Sequence, residues 1–218
     1  MVATVGSEVL GLLVVLALIA RRTGRQHGPA LQVTGSDLGT SGLTVVGLWL
    51  FTSVDLLLAR HYLSGGAAGG YVAAATLARC ILAIPAAVVA VAVPRFAASS
   101  LGEAGATLKR VLFAVAGVGL AGALPLVAFP GPVQDVLFGR PLAPAALVRA
   151  LALVAVLSSL ATAGTYFNLA RGHREALIPW LGALLEIALI SANHDTVGQV
   201  ATGSALATLP TLALLGLL

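Results

Sequence analysis

Long apolar runs joined by short polar links dominate the chain. Seven stretches have the length and continuity of a membrane span: residues 2–20, 39–63, 71–94, 111–129, 145–170, 177–193 and 197–218. A helix needs roughly 17–25 mostly apolar residues to cross a hydrocarbon layer about 30 Å thick. The runs are too long and too evenly apolar for barrel strands, which alternate over about 10 residues. The pattern therefore predicts an all-α, polytopic integral membrane protein of about seven transmembrane helices. The longest polar link divides it into a leading helix (1–20), a linker (21–37) and a six-helix bundle (38–218). Pro85 falls inside the third run and should kink it, because it lacks a backbone donor and crowds the preceding turn.

Charge gives these helices a direction. The first, third and fifth links carry Arg21, Arg22 and Arg25, then Arg95, Lys109 and Arg110, then Arg171 and Arg174. The alternate links and their helix ends carry Arg60, Arg140 and Arg149. Basic residues favour the cytoplasmic side, so the N-terminus is expected outside and the C-terminus inside. The first run has no basic segment before it, contains Glu8 and precedes a double arginine, unlike a cleavable signal peptide. A first helix entering from outside is easiest to understand if other helices precede it, in a longer membrane protein or before an internal start of the numbering.

Composition narrows the class further. Charged residues make up 9% of the chain and apolar residues 59%, whereas a soluble domain is about 25% charged. So few charges exclude an ordinary soluble enzyme and a disordered segment. The net charge of +4 is dispersed among links and forms no continuous basic stripe, which argues against nucleic acid as a partner. Cys80 is the single cysteine and lies within an apolar run, where burial as a small apolar side chain is expected.

Charges inside the runs are costly, about 2.5–3.5 kcal/mol each on an insertion scale, and call for a partner or a wet cavity. Asp55 and Arg79 are equidistant from the centre of an external turn placed at Ser64–Gly70, so an antiparallel hairpin sets them at one depth. Two uses fit the pair: part of a polar cavity that binds an anionic headgroup or switches access, or a static tie within the hairpin. Glu186 sits near the middle of the sixth run among Leu, Ile and Ala. It can carry a coupling proton, help bind a cation, or lock packing as a neutral hydrogen-bonded group. Ser158, Ser159, Thr162, Thr165 and Tyr166 form a polar run suited to hydrogen bonds between helices.

Other patterns lose their meaning in context. Gly117, Gly119 and Gly122 match a dinucleotide fingerprint but have no strand before them, so close helix packing is expected. His27, His61, His173 and His194 are scattered over links, and no metal site is expected. Neither a catalytic constellation nor a nucleotide-binding loop is present in the sequence, so the chain is not read as an enzyme and no bound cofactor is expected.

Residues 48–97 carry an aspartate followed by a leucine-rich turn and Leu58-Ala59-Arg60, then a glycine-rich turn ending at Tyr71. Arg79 follows, and Pro94-Arg95 closes the stretch. With 136–146 and 166–175, it resembles the polysaccharide-biosynthesis flippases of the multidrug/oligosaccharidyl-lipid/polysaccharide exporter superfamily, which are MATE-like. The resemblance spans about residues 38–190 and implies one six-helix MATE-like bundle preceded by the last helix of another. It also implies a cavity between two such bundles, so the missing one would come from a homodimer or a separate chain.

The function so implied is translocation of a lipid-linked oligosaccharide or polysaccharide precursor across a bacterial plasma membrane by alternating access. Asp55, Arg79 and Glu186 would line the cavity, and Arg95, Lys109 and Arg110 would meet lipid phosphates or anchor the helices. Coupling by H+ or Na+ through Asp55 or Glu186 would instead mark a multidrug or metabolite antiporter of the same superfamily. A third expectation is a non-transporting scaffold or a truncated remnant.

Overall fold

The computed structural model describes residues 35–217. They form α1 (Gly35–Phe51), α2 (Val54–Tyr62), α3 (Gly65–Ala98), α4 (Leu101–Ala128), α5 (Pro130–Phe138), α6 (Ala145–Ala170), α7 (Ile178–Ala192) and α8 (Val197–Leu214), with a 3-10 turn at Arg174–Leu177 before α7. There is no strand among the described residues. Five helices are long and apolar enough to cross a membrane, and a sixth span results if α1 and α2 are counted together. The expected span at 2–20, with Glu8 and the linker arginines, lies outside the described residues.

Helix α6 is the central packing element. It packs against α3, α4 and α8, while α8 pairs with α7. A core of Ala, Leu, Ile and Val from α3, α6 and α8 is buried, with Tyr71 at 0% exposure within it. Small residues allow the approach: Gly119 packs on Val156 and Pro85, and Gly122 on Ile81. Gly119 and Gly122 are thus helix-packing positions as expected, whereas Gly117 faces open space with nothing near it. Helix α1 docks on α7 through Gly47, where any side chain would strike the Trp180 ring. The Trp180 indole donates to the Leu43 carbonyl at 2.8 Å.

The outer surface is apolar. Phe113, Val91 and Leu124 are 79%, 68% and 65% exposed, on helices long and apolar enough to span a bilayer. That combination suits lipid and is unfavourable in water. The chain is an all-α membrane protein.

Several expected boundaries move. The run 39–63 is two helices bent by 42° at Thr52–Ser53. No proline or glycine marks the break. The Thr52 hydroxyl donates back to the Leu48 carbonyl at 3.0 Å, and Ser53 N–H bonds three residues back to Leu50, tightening and then ending α1. The external turn placed at Ser64–Gly70 contracts to Leu63–Ser64, because Gly65–Gly70 are already helical. Helix α3 continues through Pro85 and Pro94 to Ala98, and α4 starts ten residues before the expected 111. The turn expected at 136–146 contains the end of an additional helix, α5. Cys80 is exposed, since on a lipid-facing flank a small apolar group loses nothing by lying outside the core.

Candidate functional site

The site grows from the break between α1 and α2. Leu56 N–H bonds to the Ser53 carbonyl at 3.2 Å, so the Thr52 carbonyl is left without its ordinary helical donor. Arg79 Nη2 fills that place at 3.0 Å and donates also to Asp55 Oδ1 at 3.1 Å. One nitrogen thus ties the broken backbone to the carboxylate. Tyr71 Oη donates to the other carboxylate oxygen, Oδ2, at 3.0 Å. Asp55 is 14% exposed and Arg79 31%.

The pairing forms although the turn lies closer to Asp55 than expected. Counted from the true turn, Arg79 is deeper than Asp55 by about 10 Å along the helix axes. Side chains lean toward their own helix N-terminus, and α2 and α3 run in opposite directions. Arg79 therefore reaches toward the turn and Asp55 away from it, which closes the gap.

Glu186, on α7, is 3% exposed. It faces Ser204 on α8, which also faces the Tyr71 hydroxyl, and it lies within electrostatic reach of Asp55 and Arg79. The structure therefore brings Asp55, Arg79 and Glu186 into one polar patch. Tyr71 and Ser204 complete it, and neither stands out in sequence as a site residue. Two signals were present: Tyr71 and Arg79 are eight residues apart and so share a helix face, and Ser204, Thr208 and Thr211 form a buried polar stripe.

Arg79 also lines a small cleft of about 40 Å³ with Thr52, Asp55, Leu82 and Ser158. Beyond Thr52 and Leu82 a larger cleft of about 560 Å³ lies between α1, α3 and α6. Its walls are apolar at Val45, Trp49, Ala86 and Val89, and polar at Ser159, Thr162 and Tyr166. The expected interhelical bonds of the α6 polar run are not the ones made. Ser159, Thr162 and Thr165 each donate to the carbonyl four residues back in α6, at 2.9, 2.8 and 2.8 Å. A hydroxyl next to its own helix finds that acceptor without a partner helix.

The other expected residues lie elsewhere. Arg95 is exposed at the end of α3, and Lys109 and Arg110 are exposed in the third turn of α4, beyond the Ser99–Ser100 link and far along the helices from Asp55. Arg171 donates to the Ser99 carbonyl at 3.2 Å there, so these cations share one end of the bundle. His61 and His194 both contact the Tyr62 ring, His194 stacked at 4.0 Å and His61 edge-on at 4.8 Å. Among the described residues no group of three His, Cys, Asp or Glu is placed to hold a metal.

Comparison with protein-family models, curated proteins and solved structures finds no match for this chain.

Proposed function

We propose that the chain is a transport bundle of flippase type, which moves a lipid-linked oligosaccharide or polysaccharide precursor across a plasma membrane by alternating access. The observation that supports this reading best is the cleft between α1, α3 and α6, which shares Thr52 and Leu82 with the small cleft that Arg79 lines. Among the described residues no acceptor pairs with Nε or Nη1 of Arg79. These spare donors suit the phosphate that links such a lipid to its glycan, and the apolar walls suit its hydrocarbon. A second six-helix bundle, from another copy or a separate chain, would face the cleft and complete the cavity. Arg95, Lys109 and Arg110 would then face the cytoplasm among anionic headgroups. The N-terminus would lie outside and the C-terminus inside.

A second reading, a cation-coupled antiporter, is favoured by Glu186 lying in the same patch as Asp55. Here the bound proton or Na+ would sit between the two carboxylates and loosen the Arg79 tie.

Alternating access is tested at Thr162, on the cleft wall. With Cys80→Ser as background, Thr162→Cys is labelled by a membrane-impermeant maleimide applied to either side of oriented vesicles. Labelling from both sides, with rates that shift when a lipid-linked oligosaccharide is added, is the expected result. Labelling from one side only, unchanged by the lipid, contradicts the mechanism.

A further inference from the structure

We infer that α5 is a membrane-interface helix, held rigidly at the end of the bundle opposite Arg95 and Lys109, with one flank seated among the lipid headgroups and upper acyl chains of that leaflet. The inference is independent of the transport reading.

The level of α5 is fixed by its contacts. The Val127 carbonyl, just before it, accepts from Arg149 Nε in the second turn of α6 at 2.9 Å. Gln134, 1% exposed, then pins the following loop to the helix. Its Oε1 accepts from the N–H groups of Leu142 and Ala143 at 3.0 and 2.8 Å, and its Nε2 donates to the carbonyls of Ala143 and Pro130 at 3.1 and 3.2 Å. The Leu142 carbonyl lies against Gly70 near the start of α3, only 3.0 Å from where a side chain would begin. Helix α5 is therefore level with the first turns of α3 and α6, where these spans leave the hydrocarbon.

At helical spacing, Phe129, Val133, Val136 and Leu137 fall on one flank of α5, and Gly131, Asp135 and the less exposed Phe138 on the other. Phe129, Val136 and Leu137 are 64%, 84% and 60% exposed. Apolar exposure runs on along the chain from the outer face of α4, where Leu124 is 65% exposed, through Phe129 at the junction into this flank. Asp135 faces away from it, and Arg140 follows just beyond the helix. A strongly exposed apolar flank beside one that carries Asp135, at the edge of a hydrophobic slab, is the pattern that lies in a bilayer interface. That continuity with the lipid-facing surface selects lipid as the occupant.

The test uses the full chain with Cys80→Ser, carrying a nitroxide on Val136→Cys or Asp135→Cys, in phosphatidylcholine–phosphatidylglycerol vesicles. Phe129→Cys is a second probe of the apolar flank if labelling Val136 disturbs the fold. The expected result is a several-fold higher collision rate with oxygen than with a water-soluble nickel chelate at positions 136 and 129, and the reverse at 135. Equal chelate access at all three positions would place α5 in water and overturn the inference. Shielding of 136 and 129 from both reagents would also overturn it, because a second copy of the chain would then cover this flank.

Discussion

At Asp55 each carboxylate oxygen has its own donor, Tyr71 or Arg79, and both donors come from one face of α3. The guanidinium does two jobs there, since it also caps the Thr52 carbonyl at the helix break. Removing either charge leaves the other within the span and unpaired, and costs about 2–3 kcal/mol. Asp55→Asn and Arg79→Met should each lower the apparent melting temperature in detergent. The double variant should lose less than the sum of the two. Strict additivity in that cycle would mean that the pair is not coupled. The sequence suggested the contact of Asp55 with Arg79 from an equal depth that the true turn at Leu63–Ser64 does not give; the opposite lean of the two side chains makes the contact instead. The role of Thr52 was not legible, because a helix break made by hydroxyl back-bonding leaves no proline or glycine to mark it.

Among the elements, α6 is the one whose sequence and structure agree end to end, at Ala145–Ala170. A proline just before it and a glycine of positive φ just after it, Gly172, stop the helix at recognisable residues. The ends of α3 and α4 were less legible, because Gly65–Gly70 and residues 101–110 read as links yet extend the helices. Hydrophobicity marks the part of a helix inside lipid and says little about where its hydrogen bonds end. Helix α5 was missed for the related reason that nine residues are too few to register as a span. Its stability depends on Gln134. Gln134→Leu removes both acceptors and donors from the loop and leaves two backbone N–H groups unsatisfied, a loss of about 2–4 kcal/mol. The chain should then be nicked faster by protease within residues 139–144, with the spans intact. A nicking rate equal to that of the unaltered chain would deny the loop its anchor. The contact of α1 with α7 has a similar test: Gly47→Val must displace the Trp180 ring, so Trp180 emission measured with Trp49→Phe should shift. An unchanged spectrum would place α1 elsewhere.

For the whole molecule, the bundle is built like many membrane proteins, with small residues inside, large apolar ones outside and charge at the ends. Composition alone conveyed the membrane class, and the sorting of small and large residues is read from their burial. The joining of Asp55, Arg79, Tyr71, Ser204 and Glu186 required four helices in register, α2, α3, α7 and α8, which no single stretch of sequence encodes. The cleft beside them, between α1, α3 and α6, is where the account becomes functional. Its most direct test is lipid translocation in proteoliposomes, following a fluorescent polyprenyl-diphosphate oligosaccharide by its protection from an impermeant quencher. The unaltered chain, with its partner bundle if one copurifies, should accelerate translocation well above empty vesicles. Arg79→Ala should lose at least tenfold of that rate while eluting as the same assembly. No acceleration by the unaltered chain, or full activity in Arg79→Ala, would contradict the account.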